Sequence, residues 1–265
     1  MNPAEFQNLI AAEERMWWFR GMREIFRRIA GRELAGGIFD VLDAGCGTGA
    51  NAAWMAHEFG WRVSCLDYAP EGLAVARRRA VLRDFIRGDI RSLPFRGSSF
   101  DLITCFDVIA HLAPGQERQA FAEFARCLRP GGWLFVRASA FEWLRSRHSE
   151  FVRERQRVTL ARLRRELQEA GFEVRRATYA NSLLLPVAIL KFRLWEPLVR
   201  APAASGVRFG PPWLERLMLA PLQAEAWWIG LGRSFPLGQS ALVLARRRSN
   251  GVSGARRGRA ARLQG

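Results

Sequence analysis

The chain has 265 residues, 49% of them hydrophobic, and a formal net charge of +16. This composition excludes a disordered chain, and the length suits one main domain carrying an elaboration. Lys191 is the sole lysine, so the basic charge is almost entirely arginine, and arginine richness by itself names no ligand.

In chain order, "EERMWWFRGMREIFRRIA" (13–30) predicts a helix in which aromatics lie beside arginines. "IFDVLDAG" (38–45) reads as a buried strand running into a glycine turn, and "GANAAWMAHEFG" (49–60) as a helix closed by Gly60. "WRVSCLD" (61–67) is the next strand, and "PEGLAVARRRAVL" (70–82) the next helix, with Pro70 and Glu71 at its start. "FIRGD" (85–89) is short and strand-like, and "FDLITCFDVI" (100–109) is a strand with an apolar centre. "QERQAFAEFARCL" (116–128) is an amphipathic helix, "RPGG" (129–132) a turn and "WLFVRAS" (133–139) a strand. "VTLARLRRELQEAGF" (158–172) predicts a helix capped by Thr159, with Val158 and Leu163 as a hydrophobic staple and Gly171 at its end. "FEVRRATYA" (172–180) and "SALVLARRR" (240–248) are the last two strands. The alternation predicts an α/β protein whose parallel sheet is covered by helices on both faces; the expected fold is a Rossmann-like doubly wound sheet, mostly parallel with an antiparallel last strand.

The organisation that follows is an N-terminal helical segment (1–35) and a Rossmann-like domain (36–180 and 240–248). A helical insertion rich in Leu, Pro and Trp (181–239), expected first as a roof over the substrate pocket, precedes the last strand, and a disordered basic tail (249–265) follows it. Cys46, Cys65, Cys105 and Cys127 form no CxxC pair and there are three histidines, which argues against a metal site or a disulfide framework and for a reduced, cytoplasmic setting. Glu5, Glu13 and Glu14 stand where a signal peptide is basic and then apolar. The apolar run "LLLPVAIL" (183–190) is broken by Pro186 and is too short to span a bilayer.

The chemistry concentrates in "VLDAGCGTGAN" (41–51), whose Gly45, Gly47 and Ala50 also satisfy the dinucleotide pattern GxGxxG/A. Asp43 decides between cofactors. A pyrophosphate seeks backbone N–H groups and a helix dipole, and a carboxylate beside it repels it. S-adenosylmethionine places an ammonium, a carboxylate and a sulfonium there, and an acid beside the turn suits it. Asp67 ends the second strand, where a carboxylate accepts from both ribose hydroxyls, Asp89 ends the third, and Phe106 and Asp107 end the fourth at the carboxyl edge of the sheet.

At these residues the chain resembles the class I S-adenosylmethionine-dependent methyltransferases, in the group acting on small molecules: "DAGCGTG", "LDYAP", "GDI", "FDVIAHL" and "LRPGGWLFV" are similar to that family's successive motifs, in order, over residues 38 to about 140. The resemblance implies that Asp43, Gly45, Gly47 and Gly49 form the cofactor loop, that Asp67 and Tyr68 hold ribose and adenine, and that Asp89 and Ile90 hold the adenine edge. It also implies that residues 1–35 act as a lid, with Arg20 or Arg23 binding the cofactor carboxylate and Trp17 or Trp18 shielding the sulfonium. The family often has a glutamate before the histidine of the fourth-strand motif; Ala110 stands there.

Methyl transfer to a hydroxyl or a weak carbon acid needs a base, and His111 and His148 are the candidates. His148 lies among arginines 145, 147, 153, 155 and 157, which read either as a solvated basic face or as a pocket for an acidic acceptor. The expected acceptor is a small or lipid-linked molecule, with peripheral contact at the inner membrane face left open by Trp195, Trp213, Trp227 and Trp228 and the arginines near them. A nucleic-acid methyltransferase accounts for the charge, but "CFDVIAHL" lacks a Pro-Pro-aromatic step and Cys105 lies inside the strand, which argues against a nucleic-acid partner. A non-catalytic cofactor-binding assembly protein is the other rival reading.

Overall fold

Residues 5–34, 37–199, 202–207 and 209–249 are described by the computed structural model. The tail expected over 249–265 therefore lies, apart from Ser249, outside the described residues, as do parts of the N-terminal segment. Seven strands form one sheet in the order β3-β2-β1-β4-β5-β7-β6. They are β1 (Asp40–Ala44), β2 (Arg62–Asp67), β3 (Asp84–Arg87), β4 (Phe100–Phe106), β5 (Leu128–Ser139), β6 (Phe172–Ala180) and β7 (Ser240–Arg247). β1 to β5 pair in parallel, and β7 runs antiparallel between β5 and β6.

Alternate residues of the central strands feed two separate cores. Leu42 and Ile103 pack with Phe121, Phe124, Leu163 and Leu167, so α5 (Glu117–Cys127) and α7 (Leu160–Glu169) cover one face. Val41, Leu102 and Phe135 pack with Phe26, Met55 and Leu222 on the other, under α2 (Trp17–Glu33), α3 (Ala50–Phe59) and α10 (Pro212–Gly230). Burial on both faces is why these strands read as unbroken apolar runs rather than alternating ones. Phe26 is the hub of the second core, edge-on to Trp54, Phe59, Trp61, Phe106 and Phe135. Replacing such a ring by alanine costs about 3–5 kcal/mol. α2 crosses α10 at Gly21, where a Cβ would stand 2.3 Å from Leu222 Cδ1, so the two helices meet only because no side chain intervenes.

Three elements depart from expectation. The helix expected over 13–30 begins only at Trp17, as α2, and a separate helix, α1 (Glu5–Ala12), precedes it across a break at residues 13–16. The break has tertiary causes. Glu13 accepts from Arg79 Nη2 at 2.6 Å and from Thr48 Oγ1, while Trp17 N–H, opening α2, donates to Glu215 Oε2 at 2.7 Å. That carboxylate supplies the N-terminal partner that α2 lacks locally. α4 (Pro70–Ala76) stops short of residue 82, because Arg78 N and Arg79 N turn back to Val75 O and Ala76 O as Arg79 swings to Thr48 O. "RPGG" is an irregular start to β5, with Leu128 already paired to Phe100, rather than a separate turn. Thr159 caps α7 and Gly171, at φ +90°, ends it as expected.

The segment between β6 and β7 is helical. α8 (Leu185–Ile189) widens into a π-helical stretch (Leu190–Trp195) and continues as α9 (Glu196–Val199) before α10.

Candidate functional site

The sheet order reverses between β1 and β4, and a crevice opens there at the carboxyl ends of the strands. It holds a cavity of about 780 Å³ walled by the glycine loop, α1, α2, the ends of β4 and β5, α6 (Arg147–Phe151) and the segment 184–196. The loop leaves β1 through Gly45 at φ +88°, where a Cβ would fall 2.1 Å from Val108 Cγ2, so this position admits only glycine. Gly45 N and Cys46 N both donate to Leu66 O, and Gly47 N donates to Asp67 Oδ2 at 2.7 Å, which ties the loop to β2. Gly49, at φ +74°, opens α3.

Asp43, Gly45, Gly47, Phe106, His111 and His148 all line the cavity. Asp43 is buried and accepts from Thr104 Oγ1 at 2.9 Å; burial pushes its carboxyl up to about 7. Asp67 also has its carboxyl raised by burial. His111, in a 3₁₀ turn (Ile109–His111), has no partner for Nδ1 among the described residues, and burial lowers its pKa. His148 Nδ1 accepts from Gly206 N at 3.0 Å; burial lowers its pKa too, so the ring is neutral with its proton on Nε2. The contact of 3.9 Å from Nδ1 to Glu5 is too long for a hydrogen bond.

Four expected residues sit outside the cavity wall, at the carboxyl ends of β2 and β3. Asp67 joins the glycine loop through Gly47, Tyr68 is 72% exposed, Asp89 chelates Arg91, and Ile90 is buried in the core. Arg20 is exposed and borders a shallow cleft with Arg27 and Glu58, because the second turn of α2, not its first, passes the start of α3. Arg23 occupies the cavity wall instead. Its Nε donates to Asn51 Oδ1 at 3.1 Å, its Nη2 is buried without a partner among the described residues, and burial brings its pKa down to about 10.

Two features were not read from the sequence. Arg137, 5% exposed, donates to Asp107 and lies between the rings of Trp18 and Phe106, 4.8 and 5.0 Å from their centroids. Its signal was a lone charge in the apolar strand "WLFVRAS". The second is the latch of Glu13, Thr48 and Arg79, which joins α1 to the glycine loop and left no local signal.

An acid and a glycine loop at the switch point, with an orphaned guanidinium facing them, suit an amino-acid-bearing cation and not a pyrophosphate. The sheet order and the site are similar to those of class I S-adenosylmethionine-dependent methyltransferases. Residues 41–132 match the family described as "Methyltransferase domain" and form such a domain. The chain is 38% identical over 123 residues to a probable S-adenosylmethionine-dependent methyltransferase of Mycolicibacterium smegmatis, covering 46% of each chain. It is 36% identical over 110 residues to the malonyl-[acyl-carrier protein] O-methyltransferase of Serratia marcescens, covering 42% of each. The matched stretch thus spans less than half of either relative. In fold it is similar to Haemonchus contortus phosphoethanolamine N-methyltransferase 2 in complex with S-adenosylmethionine, at TM-score 0.56 and 18% identity over 85% of this chain and 52% of that one.

Proposed function

We propose that the protein transfers a methyl group from S-adenosylmethionine to an oxygen or carbon of a small or lipid-linked acceptor. The observation that carries this reading is Arg23, whose unpartnered Nη2 belongs to the same cavity wall as Asp43 and the glycine loop. When bound, S-adenosylmethionine supplies a methyl group already activated on a sulfonium. Arg23 binds the amino-acid carboxylate and Asp43 accepts from the ammonium. Asp67, at the end of β2, would accept from the ribose hydroxyls, and Tyr68, Asp89 and Ile90 would border the adenine. Trp17, Trp18 and Phe106 set aromatic faces around the sulfonium and exclude water, so that the reacting atoms align in line. His111, neutral and with Nδ1 free, takes the proton of the acceptor as the new bond forms. His148 has only Nε2 to offer, as a donor toward the acceptor.

The outer wall of the cavity supports an amphipathic acceptor. Leu190, Leu194 and Leu198 recur at helical spacing along residues 185–199 and are exposed, Leu198 to 78%, with Trp195, Lys191 and Arg193 among them. Leu184, Val187, Ala188, Phe192 and Glu196 of the same segment line the cavity. A helix with its apolar stripe turned outward and flanked by cations suits the surface of an anionic membrane. Among the described residues, no helix is long and apolar enough to cross one.

Calorimetry with S-adenosylmethionine, wild type against Asp67→Ala, tests the cofactor assignment, followed by a mass-shift screen for acceptors in polar and lipid fractions. Failure of the wild type to bind S-adenosylmethionine sinks the function, and equal binding by both proteins sinks the role of Asp67.

A further inference from the structure

Eight buried side-chain polar atoms lack a hydrogen-bond partner among the described residues. Five of them belong to residues of the cavity wall: Arg23 Nη2, His111 Nδ1, Arg147 Nε, Arg147 Nη1 and Asn181 Oδ1. Orphaned polar atoms are rare in folded proteins, and their gathering in one cavity marks groups whose partners arrive with a ligand. Arg23 and His111 are used in the mechanism above. Arg147 and Asn181 are not, and the cofactor end of the cavity does not need them.

We propose that Arg147 and Asn181 form an acceptor subsite that binds an oxyanion, a carboxylate or phosphate carried by the methyl acceptor. The proposal rests on the reading that this cavity receives the acceptor. Arg147 is held by its backbone, not by its side chain. Ser146 and Ser149 cap α6 in front of it, and its own N–H donates to Glu196 Oε2 at 2.9 Å. The other cations that reach this wall are largely committed: Arg137 pairs with Asp107 and Arg157 with Glu154. The acids are committed as well. Glu154 faces Arg157, Glu196 holds the backbone of Arg147, and Glu5 accepts from Asn8 Nδ2 and Ser205 Oγ. Among the described residues no carboxylate forms an ion pair or hydrogen bond with the Arg147 guanidinium; Glu196 turns to its backbone N–H instead. The planar guanidinium fork carries unmet N–H groups on Nε and Nη1, which lie on different edges, so each donates singly to an oxyanion. Lys191, the sole lysine, reaches the same wall and adds a mobile positive charge.

Asn181 completes the subsite. It follows β6 at φ +56°, a left-handed conformation that asparagine tolerates, and the residue is 3% exposed. Its backbone O accepts from Gln239 Nε2, so the residue is fixed from behind while its amide oxygen stays unmet. That oxygen needs an O–H or N–H, which a protonated phosphate or a hydroxyl next to the anion supplies. The subsite thus selects acceptors that pair a negative charge with a donor.

The test titrates the full-length protein with inorganic phosphate, acetate and dihexanoylphosphatidic acid at constant ionic strength, by calorimetry, with and without saturating S-adenosylhomocysteine. Wild type and the exposed control Arg165→Gln, on α7 away from the cavity, are expected to bind at least one of these anions saturably, and Arg147→Gln to lose tenfold or more in that affinity. Arg147→Lys, which keeps the charge but not the fork, is expected to fall between them, and Asn181→Ala to weaken phosphate more than acetate. Tighter binding of the phosphatidic acid than of phosphate assigns the anion to a lipid headgroup, and equal binding assigns it to a soluble acceptor. Absence of saturable binding by the wild type overturns the subsite, as does unchanged affinity in Arg147→Gln or, should that variant fail to fold, in Arg147→Lys. The arm without S-adenosylhomocysteine keeps this outcome separate from a failure of the cofactor reading.

Discussion

Arg137 donates from Nε and Nη2 to a single oxygen of Asp107, at 2.9 and 2.6 Å, and so clips the end of β4 to β5 at the cavity wall. Asp107 sits at φ +61°, and its N–H donates in turn to Arg137 O. Because Trp18 lies over the guanidinium, the pair also carries the first turn of α2. Asp107→Asn leaves a buried arginine without its counter-charge and is expected to cost about 2–3 kcal/mol, less than a fully buried pair because Asp107 is partly exposed. Arg137→Met keeps the volume and removes the charge, and is expected to cost less. Urea unfolding of both variants and of the double variant measures this; an Asp107→Asn loss no larger than that of Arg137→Met contradicts the clip.

Arg23 and Arg20 separate the lid chemistry from simple charge. Arg23→Gln is expected to weaken S-adenosylmethionine tenfold or more, about 1.4 kcal/mol, while methylthioadenosine, which lacks the carboxylate, changes little. Arg20→Gln, at an exposed position, is expected to change neither. Calorimetry with both ligands decides it, and equal losses for the two ligands in Arg23→Gln make that arginine structural.

The contrast between these arginines shows where the sequence was legible. β1, β2, β4 and the glycine loop announce themselves because their signals are local: apolar runs, a turn that needs glycine at Gly45, and acids that end strands. The existence of β7 and the cap at Thr159 follow from equally short patterns, whereas the antiparallel direction of β7 has no local signal. What was missed depends on residues far apart in the chain. Helical phase places Arg20 and Arg23 on one side of α2, but only the approach of Asn51 selects Arg23. The break at residues 13–16 needs Arg79 and Glu215, and Arg147 stands free only because Glu196 turns to its backbone. A motif reading finds the strand ends and cannot see such pairings.

Asp43 makes the site sensitive to pH. Burial raises its carboxyl to about 7, with Thr104 opposing and Asp67 adding repulsion. The folded chain therefore binds this proton more tightly than the unfolded one. The stabilisation is fully present below 3.8, the ordinary value, and is lost as pH climbs through about 7; at most it amounts to about 4 kcal/mol. Asp43→Asn is expected to flatten that slope of stability against pH. A cationic cofactor draws the opposite way and favours the carboxylate. Binding of S-adenosylmethionine is therefore expected to release a proton at pH 6, and to tighten by up to about tenfold per pH unit below 7. Calorimetry in buffers of different ionisation enthalpy reads the proton directly, and an unchanged protonation count at pH 6 refutes a protonated Asp43 in the free protein.

The outward stripe of residues 185–199 gives the last expectation. Leu190, Leu194 and Leu198 are exposed, so their replacement by glutamine leaves the core untouched and is expected to alter stability by no more than about 0.5 kcal/mol each. If the stripe meets lipid, the same changes remove most of the apolar area that enters the interface, while Lys191 and Arg193 keep the electrostatic attraction. A chain shortened to Ser249 excludes the four arginines beyond it, 256, 257, 259 and 262, as a trivial source of binding. This shortened protein is expected to float with phosphatidylglycerol-rich vesicles at low salt, to persist in part at high salt through the leucines, and to lose that salt-resistant fraction in the triple glutamine variant. Flotation that salt abolishes completely, with the leucines intact, reduces the contact to charge alone. No flotation at low salt leaves the helices 185–199 as a cavity wall and nothing more.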